Sequence, residues 1–305
     1  MKKPTLQQLS YLVALADEGH FGRAADACHV SQPGLSTQIK ELEQRLGAML
    51  VERLAKGIRL TPEGTQVVAQ SRRILREVYE MAEASHTTTS SIDGPIVVGA
   101  IPTLAPYILG DFVPAVLNSH PKATLRFQEL RTSELLAALR SGALDVALCA
   151  LPVEGDDLTS VPVFVDHFLL AVSSKDELSI GANSLPLSVL TNLNVLLLDE
   201  GHCLRDQALE VCSTTKAQST DLRATSLATL VQMVAAHNGV TLLPVTAASV
   251  EARAGNGIAV RHFIGAPWRT VAMTWRASSP RDRFYRAIAV DFSRGLEHFQ
   301  TLSLD

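Results

Sequence analysis

The segment "EGHCLRDQALEVC", residues 200–212, sets two of the chain's four cysteines nine positions apart, with His202 and Arg205 beside the first. Cysteine chemistry runs through the thiolate, which serves as nucleophile or as metal ligand. A zinc knuckle spaces its cysteines about two to four residues apart and a redox CxxC leaves about two between them, so this pair fits neither. Zinc on His202, Cys203 and Cys212 would need a fourth ligand that the sequence does not offer, and no metal or other cofactor is expected. Taken alone, a His-Cys dipeptide reads as a packed loop rather than a reactive site. "LRDQALEVC" holds good helix formers and no internal Gly or Pro, which predicts a helix from about Leu204. Nine residues of helix rise about 13.5 Å, whereas a disulfide needs Cα atoms within about 7 Å. The two thiols cannot bond on an intact helix.

The elements that must position this segment fall into two groups. Over the first ninety residues, Leu6, Leu9, Val13 and Ala16 recur at helical spacing and predict a first helix. "HFGRAADACHV" predicts a short second one, with Phe21, Ala24, Ala25 and Cys28 facing inward. Ser31 is an N-cap, Pro33 suits a first turn, Leu35, Ile39, Leu42 and Leu46 form a buried stripe, and Gly47 ends the third helix. Two short helices and a tight turn spell helix-turn-helix. Gln32, Ser36, Thr37 and Lys40 project from the opposite face, offering amide, hydroxyl and ammonium groups to base edges and phosphates. Any amphipathic helix has such a face, so the neighbouring elements must favour DNA over plain solvent. "LVERLAKGIRLT" predicts two short strands around an Ala-Lys-Gly turn, a wing with Arg53 placed for backbone phosphate. Thr61 and Pro62 open a long helix in which Val67, Ser71, Ile74, Val78 and Met81 keep a coiled-coil spacing, a dimer seam. The domain boundary is expected in the polar stretch "SHTTTSSIDGP", residues 85–95.

Beyond it, "IVVGAI", "TLRFQEL", "LDVALCAL", "FLLAV", "NVLLLD", "VTLLP" and "TVAMTW" predict strands, and residues 106–118, 132–141, 226–237 and 282–298 predict helices between them. An α/β region of this length exceeds what one sheet usually serves, so two lobes are expected. The division is 1–61 for DNA, 62–90 for the linker and dimerisation helix, and 91–305 for the lobes. Lobe I takes about 91–160 with 269–305, and lobe II about 161–268. Cys28, on a helix's apolar face, and Cys149, inside a strand, read as small buried hydrophobes.

Composition narrows the classes. Hydrophobic residues make up 47% and charged residues 19% of 305, a globular balance with ample core. No apolar run reaches the roughly 18 residues that cross a bilayer, and no signal-peptide cleavage site follows the N-terminus. A cytoplasmic protein without membrane contact is expected, its cysteines reduced unless they have a redox role. Net charge is −4, and residues 1–90 carry 11 Lys and Arg against 10 Asp and Glu, so DNA binding must come from placed residues rather than bulk field.

With these elements in order, the chain resembles a LysR-type transcriptional regulator over its whole length. "HFGRAADACHVSQPGLSTQIKELEQRLGAMLVER" is the specific N-terminal signature. "GHCLRDQ", a second cysteine nine on, "RATSLATL" and "GVTLLP" are similar to that family's hydrogen-peroxide-sensing members. The resemblance implies an α/β fold: a winged helix-turn-helix, then a two-lobed domain like a periplasmic binding protein. It implies that Cys203 reacts with peroxide and that Cys212 resolves the product into a disulfide. It places Thr103 ("IPTLAPY"), Thr132 ("LRTSEL"), His202, Asp206 and Arg269 ("WRTVAM") in the peroxide pocket, and Gln32, Pro33, Ser36, Thr37, Lys40 and Arg53 on DNA. The partners implied are double-stranded promoter DNA, hydrogen peroxide and further copies of the chain, as homodimer or homotetramer, with RNA polymerase as an additional partner. No enzyme activity is expected. Cys203 would open a helix whose orphan amides favour negative charge, with Arg205 and, if folded close, Arg269 adding positive charge and the threonine hydroxyls holding peroxide. Two other functions stay open. A metabolite-sensing LysR regulator would leave its cysteines passive; a thiol peroxidase would leave the DNA-binding third without a use.

Overall fold

The computed structural model describes residues 3–54, 56–84, 94–180 and 184–296. Ala55 of the wing turn, residues 85–93 of the expected boundary, and residues 297–298 of the last predicted helix lie outside the described residues. The chain divides into two compact units.

In the N-terminal unit, α1 (Leu6–Glu18) opens on Thr5, which exchanges caps with Gln8. Its inner face is Leu9, Leu12 and Leu15, while Leu6 is exposed and Val13 half-buried, a different phase from the predicted stripe. "LSYLVAL" is apolar nearly all round, so spacing alone does not choose the face. Helix α2 (Phe21–Ala27) buries Phe21, Ala24 and Ala25. Cys28, expected inside, is half-buried at its C-terminal end instead, where the chain already turns away. Helix α3 (Gln32–Leu46) is capped by Ser31, buries Leu35, Ile39 and Leu42, and ends at Gly47 with φ +70°. Strands β1 (Val51–Arg53) and β2 (Ile58–Leu60) pair antiparallel as the wing, and Ile58 N–H donates to Gly19 O, tying the wing to the end of α1.

Helix α4 (Pro62–Ala84) is capped by Thr61, whose Oγ1 accepts from Gly64 N–H at 2.9 Å. A Cβ on Gly64 would fall 2.0 Å from Leu50 O, so only glycine lets the helix pass this close to the chain entering β1. Val68, Ser71 and Leu75 pack inward. Ser71 therefore leaves the predicted seam, because its position in the turn faces α1; Ile74 and Met81 remain on the exposed side.

The second unit runs β3 (Gly94–Ala100), α5 (Ala105–Ser119), β4 (Ala123–Glu129), α6 (Thr132–Ser141), β5 (Val146–Ala150) and β6 (Leu158–Ser173). It continues with β7 (Ser184–Pro186), β8 (Asn194–Leu198), α7 (Cys203–Thr215), β9 (Gln218–Ala224) and α8 (Leu227–Ala235). It ends with β10 (Thr241–Pro244), α9 (Val245–Glu251), β11 (Ile258–Ile264), β12 (Trp268–Arg276) and α10 (Asp282–Gly295). The first lobe's sheet is β4-β3-β5-β12-β6, in which β3 is parallel to both neighbours and β12 antiparallel to both of its own. The second lobe takes over on the same strand. β6 pairs with β12 from Leu158 to His167, and from Phe168 onward with β10 and β11. β8 pairs with β9 and reaches β10's side through the Val195–Val240 bridge. Each lobe has its own apolar core, and Tyr107, Ala248 and Val260 touch both. The handover lies near residue 167, inside one continuous strand, where residue 161 was expected to start the second lobe. No helix among the described residues is long and apolar enough to cross a membrane.

Candidate functional site

The exposed face of α3 presents Gln32, Pro33, Thr37 and Lys40, with Ser36 half-buried beside them. The Thr37 hydroxyl donates back to Pro33 O at 2.9 Å, which leaves its lone pairs and methyl outward. Arg53 donates to Ser36 Oγ at 2.6 Å and lies 4.3 Å over the Phe21 ring. Its exposed guanidinium is thereby held at the edge of the helix before any ligand arrives.

The thiol segment sits on an unusual turn. β8 ends at Leu198, and Gly201 then takes φ +88°, a conformation that favours glycine, with a Cβ there meeting Arg131 Cδ at 3.3 Å. Arg131, from the loop before α6, donates to Glu200 O at 3.1 Å across this turn. Arg205 Nη1 lies 3.3 Å from a Glu200 carboxylate oxygen, close enough for an ion pair but too poorly aligned for a hydrogen bond. His202 is the N-cap and Cys203 the first residue of α7.

Leu204, Ala208 and Cys212 point into the second lobe's core, whereas Cys203 packs against the core of the first. The thiol thus lies on the seam between lobes, partly exposed at the positive end of a thirteen-residue helix. His202 is buried, and burial together with the Arg131 charge holds its imidazole below the ordinary value of 6.5; Asp199 and a backbone hydrogen bond to Thr225 oppose this. The ring is neutral near pH 7, and its Nε2 has no protein partner. Thr132 Oγ1 and Gln207 Oε1 are likewise buried without a partner. Buried polar atoms are nearly always satisfied, so these atoms can each hydrogen-bond to a small polar molecule or a water.

A second polar group completes the seam. Arg269 on β12 donates from Nε and Nη2 to Asp166 Oδ2 at 3.0 and 2.8 Å, and from Nη1 to Thr103 Oγ1 at 2.9 Å. Its Nη2 also donates to Thr103 O at 3.1 Å. Thr246, opening α9, donates its N–H and its hydroxyl to Asp166 at 3.1 and 2.9 Å. Arg269 and Asp166 are wholly buried and matched in charge. Arg269 was expected to add positive charge; it supplies a fixed fan of donors instead, because Asp166 neutralises it. Asp206 is exposed on the first turn of α7 and belongs to neither buried group.

Both cysteines of the pair are free. They lie on one unbroken helix, Cys203 first and Cys212 tenth, with Cys212 buried at 5% exposure. Burial pushes the Cys212 thiol up from its ordinary value and pushes buried Cys149 up to about 11.

Residues 6–65 match the family model described as bacterial regulatory helix-turn-helix protein, lysR family, and residues 89–289 match the LysR substrate binding domain. The chain belongs to the LysR family. Among its LysR relatives, the "DNA-binding transcriptional dual regulator OxyR" of Escherichia coli (strain K12) is 40% identical over 285 residues, 93% of either chain. A full-length Pseudomonas aeruginosa OxyR carrying a cysteine-to-aspartate substitution matches with a TM-score of 0.80 at 38% identity, over 96% of each chain. A hydrogen-peroxide-bound cysteine mutant of Corynebacterium glutamicum OxyR matches with a TM-score of 0.68 at 33% identity, covering 99% of this chain and 95% of that one.

Four members of this LysR-family site escaped sequence reasoning: Arg131, Asp166, Gln207 and Thr246. Gln207 sits four residues after Cys203, hence on the same helical face, and that spacing could have found it. Asp166 had a weaker signal, a carboxylate interrupting an apolar strand run. Arg131 and Thr246 had none.

Proposed function

We propose that this LysR-family chain is a peroxide-sensing, DNA-binding transcriptional regulator rather than an enzyme, cytoplasmic and acting as a homodimer or homotetramer on promoter DNA, with RNA polymerase as a further partner. Residues 1–61 would read DNA through Gln32, Pro33, Ser36, Thr37, Lys40 and Arg53, residues 62–90 would pair two copies, and residues 91–305 would sense. The observation that carries the reading is Cys203 at a helix start on the lobe seam, beside buried polar atoms with no partner. The names and titles of the relatives support the same stimulus.

In the chemistry, the Cys203 thiolate attacks one peroxide oxygen, forming an S–O bond as the O–O bond breaks. Sulfur is oxidised to sulfenic acid, peroxide is reduced, and the departing hydroxide takes up a proton to leave as water. Thr103 and Thr132 would hold the peroxide, and neutral His202 Nε2 would accept a hydrogen bond from it. Asp206, exposed, would act on the helix start rather than on the peroxide. Condensation of the sulfenic acid with the Cys212 thiol then forms a disulfide and releases water.

Equimolar peroxide added to purified protein tests this, with free thiols counted and operator DNA mobility followed. Two thiols should vanish and the DNA complex should change in wild type, and neither should happen in Cys203→Ser. Four intact thiols in treated wild type, or a normal response from Cys203→Ser, would sink the proposal in favour of a metabolite sensor.

A further inference from the structure

We infer that Asp166 and Thr246 are positioning residues that act through Arg269 to fix the Thr103 hydroxyl as a hydrogen-bond donor to peroxide. This rests on the peroxide-sensing reading above and extends it to two residues with no assigned role.

The direction of every hydrogen bond in the group is forced. An ionised carboxylate only accepts, a guanidinium only donates, and a backbone N–H only donates. Thr246 must therefore give both its N–H and its hydroxyl proton to Asp166, and Asp166 takes two more from Arg269 Nε and Nη2. Arg269 has its remaining contacts on Thr103, one to the carbonyl and one to the hydroxyl oxygen. Since Thr103 Oγ1 accepts from Arg269, its own proton has to leave in another direction. Thr103 is 2% exposed, so that proton does not go to bulk water. Arg269 occupies one lone pair of this hydroxyl and fixes its orientation, so the proton is aimed away from Arg269 and can be given to a bound molecule, while one lone pair remains. A donor is what the reaction needs, because charge builds on the leaving oxygen as the O–O bond breaks.

The energetics favour a functional reading of the pair. Desolvating two charges costs about as much as their attraction returns, and apolar replacements of similar volume commonly do as well. An ion pair with both side chains wholly buried is therefore poorly explained by stability alone. Its four members come from strands β6 and β12, the start of α9 and the turn after β3, and Cys203 packs against the same first-lobe core that these strands build.

The experiment measures two rate constants for Cys203, one with hydrogen peroxide and one with iodoacetamide, in the full-length wild type, Thr246→Val and Thr246→Ser. Iodoacetamide uses the same thiolate but needs no donor at a leaving oxygen of peroxide. Valine keeps the shape of threonine and removes its hydroxyl; serine restores it. Thr246→Val should slow the peroxide reaction about tenfold, with the alkylation rate and its pH profile unchanged, and Thr246→Ser should recover most of the loss. The threonine series decides the matter, because Asp166→Asn would also leave the buried Arg269 charge unneutralised and so alter alkylation as well. Equal slowing of both reactions by Thr246→Val would make the role merely structural, and an unchanged peroxide rate would overturn the proposal. Wild-type Cys203 reacting with peroxide no faster than free cysteine would overturn the underlying reading and this inference together.

Discussion

Glu210 offers a way to time the opening of α7. It is exposed on the solvent side of the helix, between the two cysteines and two residues before Cys212. Nine residues of helix separate the Cα atoms by about 13.5 Å, and a disulfide allows about 7 Å. The shortfall of about 6.5 Å exceeds one helical turn of about 5.4 Å, so more than a turn must open before sulfur meets sulfur. Glycine at an exposed helix interior costs about 1 kcal/mol relative to alanine. Comparing Glu210→Gly with Glu210→Ala therefore raises the opening equilibrium about fivefold, since about 1.4 kcal/mol is a factor of ten. Cys203, at the helix start, should form its sulfenic acid at the same rate in both. Rapid quenching after equimolar peroxide, with sulfenic-acid labelling, thiol alkylation and peptide mass spectrometry, separates the two steps. Disulfide formation should run about fivefold faster in the glycine variant, with sulfenic acid accumulating longer in the alanine one. Equal disulfide rates, or an oxidised protein whose amides from 207 to 212 keep full hydrogen-exchange protection, would refute the opening mechanism.

On the DNA side, Thr37→Ala and Lys40→Ala should each relax operator specificity or weaken binding in a mobility assay, base-reading losses costing about 1–3 kcal/mol. Arg53→Ala should weaken all sequences alike and flatten the salt slope by about one, because it removes a single preset cation. Among the thiols, Cys203 should alkylate first and Cys149 last in a mass-spectrometric time course, the latter held protonated by burial up to about 11. Below pH 6.5 the unfolded chain protonates His202 while the folded one resists, so denaturation midpoints should fall with pH in wild type more than in His202→Gln. Parallel curves for the two would show that the imidazole is not held neutral.

Much of this architecture was legible in the sequence because local signals carried it. Caps at Ser31 and Thr61, the stop at Gly47 and the stripe through Leu35, Ile39 and Leu42 are read within one or two turns. Apolar runs such as "IVVGAI" and "NVLLLD" announce buried strands. Legibility failed where structure depends on partners distant in sequence. β6 was visible only as "FLLAV", since Pro162, Asp166 and His167 interrupt its pattern; it is sixteen residues long because two sheets hold it. β7, β9, β11 and α9 went unread, the first three residues long and β9 largely polar in sequence. The cysteine pair could be located by eye, but its surroundings could not. Asp166 meets Arg269 across 103 positions and Thr246 across 80, separations at which no periodicity survives.

The single strand shared by both lobes also limits how the chain can change over generations. Side chains alternate along a strand, so one residue inserted or lost shifts every later one to the other face. Loops at the rim of either lobe can lengthen and leave the rest in place. Between Asp166 and Phe168 they cannot, because Leu169 serves the first core while Phe168 and Leu170 serve the second. A one-residue indel there would turn the residues on one side of it to the opposite face and unseat Asp166 from Arg269 or Phe168 from the second core. Substitutions can accumulate along this strand in the descendants of such a protein; the count of residues across it should stay constant.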